Sequence, residues 1–139
     1  MASAESCTGG WIAKAMTDVP GSSSCFERAF VTYSNAAKEE MLGVAPATLD
    51  SHGAVSEAVV REMVLGALDR SHATLAVAVS GIAGPDGGSE DKPVGTVWLA
   101  WAGKGMDTIT SREQFSGGRD DVRYQSTMVA LQRLLHLID

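Results

Sequence analysis

The stretch Thr74-Leu75-Ala76-Val77-Ala78-Val79-Ser80 decides the fold class of this chain. It is a continuous run of small and apolar residues, which is typical of a central strand that is covered on both faces. Just before it, Ser56 is a good N-cap for a helix whose apolar residues recur at helical spacing between Val59 and Leu68. Just after it, residues 81–95 form a long loop rich in glycine and proline. A buried strand that follows a core-facing helix predicts an α/β domain.

The segments on either side of this strand supply the rest of the predicted domain. Further strands are predicted where small, aromatic or β-branched residues run together, at 2–5, 26–33, 96–102 and 108–115. Further helices are predicted from capping residues and apolar spacing, at 11–16, 35–42, 46–52 and 119–138. The tight turn Gly103-Lys104-Gly105 joins the last two strands into a hairpin, so the sheet should be mixed and mostly parallel. We expect a single three-layer α/β/α domain over residues 1–139.

Composition and charge narrow the classes of function. The 139 residues are 45% apolar and 20% charged, as in ordinary globular proteins. The net charge of −6 disfavours nucleic acids and anionic membranes as partners but allows a small phosphorylated molecule. No apolar stretch approaches the ~20 residues that span a bilayer, and no signal peptide is evident. Cys7 and Cys25 lack metal-site or disulfide spacing, so we interpret them as reduced thiols of a cytoplasmic protein.

Three predicted turns follow the carboxyl ends of parallel strands, where α/β sheets bind their ligands: Glu5–Gly10, Tyr33–Lys38 and Ser80–Gly84. In the first turn, Ser6 precedes Thr8-Gly9-Gly10 at the predicted start of a helix. Backbone N–H groups and the positive dipole end at such a place can stabilise an oxyanion or a phosphate. The local pattern by itself favours the simpler interpretation that Ser6 or Thr8 caps the helix.

A serine nucleophile needs a base, and Lys38 is the best candidate. His52, His72 and His136 stand in a loop, at a helix end and near the chain end, and the chain has no Gly-x-Ser-x-Gly elbow, so a Ser-His-Asp triad is not expected. Lys38 lies in the first turns of a helix beside two alanines, where burial and the helix dipole would lower its pKa. Tyr33 could pass a proton or hold the lysine. The residues alone still favour a solvated lysine here.

The Gly-rich loop Ser80–Ser89 could cradle a phosphate or a ring, with 90–93 as a lid, although an ordinary surface loop fits equally well. Asp86, Glu90 and Asp91 are conceivable Mg²⁺ ligands, but no partner ligand is evident, so we predict no metal.

Arg119 and Arg123 lie one turn apart at the start of the last helix. Two guanidinium groups on one helical face could clamp a phosphate. An ion-pair cluster with the neighbouring Asp120 and Asp121 is the alternative.

Six motifs resemble the CinA carboxy-terminal domain family, in its stand-alone bacterial form, and they stand in the family's order. The first is Ala4-Glu5-Ser6-Cys7-Thr8-Gly9-Gly10, and the others lie at 33–38, 52–56, 80–85, 92–97 and 118–123. The resemblance covers nearly the whole chain. It implies hydrolysis of the carboxamide of nicotinamide mononucleotide to nicotinic acid mononucleotide and ammonia, by a serine–lysine mechanism without metal or cofactor.

The resemblance also implies roles for residues that match the family's motifs. Ser6 would be the nucleophile and Lys38 the general base, with Tyr33 assisting. The nucleotide would be held by residues of the three turns and the last helix: Thr8, Gly9, Gly10, Asn35, Ser80, Gly81, Gly84, Arg119 and Arg123.

The segment ahead of the first motif differs from the family. Family members carry a helix ahead of the first motif, whereas only three residues precede it here, so either the sequence starts after that helix or the chain lacks it. Its absence would uncover one face of the sheet, so a homo-oligomer is possible.

The main alternative function is a non-catalytic nucleotide-binding or regulatory module. A metal-dependent phosphohydrolase that uses Asp86 and Glu90 is a third candidate.

Overall fold

The computed structural model describes residues 1–138 and confirms the mixed α/β class. Within these residues the strands are β1 (Ala2–Glu5), β2 (Arg28–Val31), β3 (Leu75–Gly81), β4 (Thr96–Gly103) and β5 (Ile109–Gln114). The helices are α1 (Trp11–Thr17), α2 (Asn35–Leu42), α3 (Pro46–His52), α4 (Glu57–Asp69) and α5 (Arg119–Ile138), with a short 3-10 turn at Ser22–Ser24.

The predicted strand over residues 26–33 is shorter in the structure at both ends. The amide of Phe26 donates to the carbonyl of Ser22, which places Phe26 in the turn before the strand. At the other end, Thr32 and Tyr33 leave the strand toward α2, which Ser34 caps by accepting from the amide of Ala37. This early exit matters because the carbonyls of Thr32 and Tyr33 face the site described below.

The sheet has the strand order β2-β1-β3-β4-β5, and it is mixed as expected. β1 pairs in parallel with both β2 and β3, with Glu5 opposite Val31 on one side and Val79 on the other. β4 runs antiparallel to β3 and forms the predicted hairpin with β5. The carboxyl ends of the three parallel strands therefore meet at one edge, and the three turns that follow them lie together there.

Successive side chains along each strand point to opposite faces of the sheet, so the apolar core has two halves, one on each face. Ala76 and Ala78 of β3 pack with the buried face of α4, whereas Val77 and Val79 pack with α5. Trp98 and Trp101 follow the same rule and lie on opposite faces, as their spacing predicts. Burial of both sheet faces explains why β3 is apolar from Leu75 to Val79.

A close approach of α2 and α4 sets the position of the helix that carries Lys38. A Cβ atom on Gly66 of α4 would lie 2.0 Å from the carbonyl oxygen of Leu42, so the two helices touch through bare backbone. Gly43 ends α2 in the left-handed conformation at φ 72°, which glycine adopts without steric cost. Within residues 1–138, no helix is long and apolar enough to cross a membrane.

Candidate active site

A pocket of about 300 Å³ opens at the sheet edge where the parallel strands end. All three predicted turns contribute to its wall, through Ser6, Tyr33 and the segment Ser80–Gly84. Asn35, Lys38 and Arg119 complete the set of predicted residues that line it. The fold thus brings together side chains that are far apart in the chain.

Ser6 and Lys38 are in direct contact at the base of this pocket. The Lys38 amine lies 3.0 Å from Ser6 Oγ and donates to the carbonyl of Thr32 at 3.0 Å and to that of Tyr33 at 3.4 Å. The Lys38 residue is 1% exposed and Ser6 is 8% exposed. Lys38 is therefore not the solvated lysine that the local sequence favours.

Burial lowers the pKa of the Lys38 amine below its ordinary value, because an ammonium ion loses its hydration there. The atoms that contact the amine are a hydroxyl and two carbonyls, none of which carries a negative charge. Within residues 1–138, no carboxylate forms a salt bridge with Lys38. This environment disfavours the charged form of the Lys38 amine.

Cys7 lies beside the nucleophile candidate in the same pocket wall but is a poor nucleophile itself. Burial raises the pKa of its thiol to about 12, because a thiolate would be desolvated there. The residue is 5% exposed and packs in the core half next to α5. The thiol therefore stays protonated, and Cys7 is a small buried residue beside the site.

The N-terminus of α1 is not open to a ligand, contrary to expectation. The backbone amides of Ile12 and Ala13 donate to the carboxylate of Glu5 at 2.9 and 3.0 Å. Gly10, the N-cap residue, has no side chain that could do this. Because a buried carboxylate already takes the first free amides of the helix, an anion cannot bind them.

The structure does not bring Thr8, Gly9 and Gly10 into the pocket wall. The Thr8 hydroxyl is buried and donates to Glu5 at 2.7 Å. A Cβ atom on Gly9 would lie 3.1 Å from the guanidinium of Arg123, so the two are in close contact outside the pocket. These residues shape the turn that carries Ser6 rather than line the cavity.

The two arginines of α5 have different surroundings and do not form the expected clamp. Arg123 donates to the carbonyls of Cys7 and Thr8 at 3.0 and 3.3 Å and lies over the Trp11 ring. Arg119 lines the pocket and donates to the carbonyl of Gly84 and the hydroxyl of Tyr33 at 2.8 and 2.9 Å. Within residues 1–138 neither arginine forms a salt bridge, so the ion-pair alternative is wrong as well.

Ser80 lines the pocket, and its side chain bonds to the backbone of a neighbouring loop. Its hydroxyl donates to the carbonyl of Ala54 at 2.9 Å and joins the end of β3 to the loop ahead of α4. That loop supplies Ala54 and Val55 to the pocket, a contribution that the sequence argument missed although the motif 52–56 contains both. Further wall residues come from the Gly-rich loop Ser80–Ser89: Ile82, Ala83, Asp86 and Gly87.

The proposed lid over residues 90–93 is tied to the rest of the protein. Lys92 donates from its amine to the carbonyl of His52 at 2.7 Å and from its amide to the hydroxyl of Ser89. Residues 90–93 do not line the pocket.

In the part of the chain that the structure describes, no group of three or more His, Cys, Asp or Glu side chains could hold a metal ion, and this includes Asp86 and Glu90.

Comparisons with known proteins agree with one another. Residues 1–138 match the family described as the CinA C-terminal domain. The chain is 64% identical to nicotinamide-nucleotide amidohydrolase PncC of Escherichia coli K12, covering 94% of this chain and 79% of that protein. It is 58% identical to the protein of the same name from Pseudomonas putida, covering 96% and 83%. A solved structure, competence/damage inducible protein CihA of Agrobacterium tumefaciens, superposes with a TM-score of 0.97 at 47% identity over 99% of this chain and 84% of that one.

Proposed function

The chain belongs to the CinA C-terminal domain family, and we propose that it hydrolyses the carboxamide of nicotinamide mononucleotide to give nicotinic acid mononucleotide and ammonia. The names of the relatives at 64% and 58% identity support this substrate and an amidohydrolase activity. The observation that carries the chemistry is the 3.0 Å contact between the Lys38 amine and Ser6 Oγ, both buried at the base of one pocket.

In the proposed mechanism Lys38 acts as the general base and Ser6 as the nucleophile. A neutral amine has two N–H groups and one lone pair. Its N–H groups match the carbonyls of Thr32 and Tyr33, so the lone pair faces the Ser6 hydroxyl. Lys38 takes the hydroxyl proton as Ser6 Oγ attacks the carboxamide carbon, and the resulting ammonium group donates a proton to the departing nitrogen.

The second half of the reaction returns the enzyme to its starting state. The first half leaves the pyridine carboxyl carbon bound to Ser6 as an ester and releases ammonia. Water then attacks the ester carbon while neutral Lys38 takes a proton from the water. The ester bond to Ser6 Oγ breaks and the proton returns to that oxygen. Nicotinic acid mononucleotide leaves and releases the remaining proton of its carboxylic acid to solvent as the carboxylate forms.

The oxyanion of each tetrahedral intermediate needs donors near Ser6. We assign this role to the backbone amide of Cys7, which directly follows the nucleophile and belongs to a residue of the pocket wall. Within residues 1–138, this amide does not donate to another residue. The next amides along α1, those of Ile12 and Ala13, are already bound by Glu5.

Arg119 is the cation that we assign to the phosphate of the nucleotide. It lines the pocket, and its bonds to Gly84 and Tyr33 leave further N–H groups of the guanidinium for a ligand. We assign Tyr33 an assisting role on this side of the pocket, where its hydroxyl orients Arg119 while its carbonyl holds Lys38. Asn35, Ser80, Gly81 and Gly84 form the wall against which the substrate would pack.

The pairing of a buried lysine with a serine favours an enzyme over a binding module. Burying an amine without a counter-ion costs free energy, and a module that only binds a nucleotide would gain nothing from it. The net charge of −6 supports a small-molecule substrate rather than a nucleic acid or an anionic membrane. We propose that the enzyme acts in the cytoplasm, and a homo-oligomer stays a prediction.

The decisive experiment measures ammonia release from nicotinamide mononucleotide in the presence of EDTA. The wild type should release ammonia, whereas Ser6→Ala should release none while binding the product with nearly unchanged affinity. Ser23→Ala, at an exposed serine far from the pocket, is the matched control and should match the wild type. Product binding by the wild type without ammonia release would favour the non-catalytic module. Loss of wild-type activity with EDTA, or release of phosphate, would favour the metal-dependent phosphohydrolase.

A further inference from the structure

Glu5 is the last residue of β1, directly precedes Ser6 and is fully buried at 0% exposure. Within residues 1–138 it forms no salt bridge, so no cation compensates its charge. Its two carboxylate oxygens instead accept four hydrogen bonds: from Thr8 Oγ1 (2.7 Å) and the Ile12 amide (2.9 Å) at Oε1, and from Ser3 Oγ (3.0 Å) and the Ala13 amide (3.0 Å) at Oε2.

This set of partners is specific for a carboxylate. An ionised carboxylate only accepts hydrogen bonds, and each of its two oxygens here faces one backbone amide and one hydroxyl. A glutamine at this position would turn its NH₂ group toward one of the two backbone N–H groups, whichever way its amide is placed. One buried backbone donor would then lose its partner, and the two donors would repel each other.

The four bonds join three parts of the chain that surround the nucleophile. Ser3 lies on β1, Thr8 lies in the turn, and the amides of Ile12 and Ala13 begin α1. The carboxylate therefore holds both ends of the segment that contains Ser6. Gly10, the N-cap residue of α1, supplies no side-chain bond, so Glu5 performs the capping that the helix would otherwise lack.

We propose that Glu5 is a positioning residue for the amide hydrolysis assigned above. Its carboxylate fixes the turn so that Ser6 Oγ stays 3.0 Å from the Lys38 amine and the Cys7 amide keeps its place in the pocket wall. Glu5 itself does not line the pocket. The inference rests on the proposed function. A displacement of Ser6 Oγ by about 1 Å would lower the reaction rate about 100-fold.

The first test is Glu5→Gln, compared with Glu40→Gln at an exposed glutamate of α2. Glu5→Gln should lower kcat for nicotinamide mononucleotide about 10- to 100-fold. It should leave KM and the affinity for nicotinic acid mononucleotide within about twofold of the wild type, because the pocket wall is unchanged. Glu40→Gln should change none of these values. A raised KM with an unchanged kcat would overturn the proposal.

A second readout follows Ser6 directly, without amide turnover. The rate at which a fluorophosphonate modifies Ser6 is measured by mass spectrometry. Glu5→Gln should slow this modification by a factor similar to the loss of kcat. Modification at the wild-type rate would overturn the positioning role even if the wild type hydrolyses the nucleotide. Slowed modification in a protein whose wild type releases no ammonia would uphold Glu5 and refute the proposed function instead.

Thr8 provides a milder pair of variants in case Glu5→Gln does not fold. Thr8→Val keeps the shape of the side chain and removes one donor to Glu5, and it should lower kcat and slow the modification of Ser6. Thr8→Ser keeps the donor and should restore both toward the wild-type values. Two outcomes would overturn the proposal. One is a loss of kcat in Thr8→Val that equals the loss of folded protein, measured by circular dichroism. The other is equal rates in Thr8→Val and Thr8→Ser.

Discussion

Replacing Lys38 with methionine should separate the catalytic role of this side chain from any role in stability. Methionine keeps an unbranched side chain of similar length, has a sulfur in place of the Cδ methylene and lacks the amine. The amine makes three hydrogen bonds, to Ser6, Thr32 and Tyr33, at 3.0, 3.0 and 3.4 Å. At about 1 kcal/mol net for each bond, their loss costs about 2–3 kcal/mol of the free energy of unfolding.

An opposing gain of similar size follows from burial. The Lys38 residue is 1% exposed, so the methionine would be buried completely and the cost of desolvating an amine would disappear. The cost of burying such a polar group is about 1–3 kcal/mol. The two contributions nearly cancel, and we expect Tm to stay within about 4 °C of the wild type, which corresponds to about 1 kcal/mol in a domain of this size.

The effect on catalysis should be much larger. General base catalysis contributes about 100- to 10,000-fold to a rate, which equals about 3–5 kcal/mol in the activation free energy. Lys38→Met should therefore lower kcat for ammonia release by at least about 100-fold, with product binding retained. The assay is ammonia release at saturating substrate, together with Tm from circular dichroism.

Lys14→Met is the matched control, because Lys14 is exposed on α1 and forms only a surface pair with Asp18. Its kcat should equal that of the wild type. Our interpretation of Lys38 would be refuted if Lys38→Met retained more than about a tenth of the wild-type kcat. A fall in Tm of more than about 10 °C would instead show that the amine is mainly structural.

Three further predictions follow from the site. Because burial lowers the pKa of Lys38, kcat/KM should rise with pH, with a midpoint below the ordinary lysine value of 10.5. The free energy of unfolding should also rise with pH between the folded and unfolded pKa values of Lys38, since the unfolded chain binds the extra proton there. A value of kcat/KM that falls over this range would refute the assignment of Lys38 as the base. Iodoacetamide should modify the exposed Cys25 and leave both Cys7 and the activity intact, as mass spectrometry can show; rapid modification of native Cys7 would contradict its buried, protonated thiol. Arg119→Ala should mainly raise KM, whereas Arg123→Ala should mainly lower kcat because Arg123 holds the turn of Ser6; steady-state kinetics with the same effect for both would show that the two arginines act together.

Local sequence patterns predicted most of the fold correctly because each pattern reports a local physical preference. The apolar run at 74–80 corresponds to β3, and the segment 119–138 is the helix α5 with the same bounds. Caps were equally informative, since Ser34 and Ser56 accept hydrogen bonds at the starts of α2 and α4. The least accurate boundary was that of β2, where a tertiary contact between the Lys38 amine and the carbonyl of Thr32 accompanies the early departure of the chain from the sheet.

The site was predictable in part. The rule that ligands bind where parallel strands end placed the three turns together, and the resemblance to the CinA family singled out Ser6 and Lys38 against their local patterns. The sequence could not distinguish Arg119 from Arg123. They stand one turn apart on α5, and the packing of that helix against the turn of Ser6 directs one guanidinium into the pocket and the other onto backbone carbonyls.

The sequence by itself determined the α/β class, the order of the elements and the residue types available for chemistry, because these depend on local spacing and composition. The tertiary structure alone decided that Lys38 is buried without a counter-ion, since burial depends on the packing of α2 against its neighbours. It also decided that Glu5, rather than a ligand, binds the amides at the start of α1. Both features join groups that are separate along the chain, and only the folded backbone sets the distance between such groups.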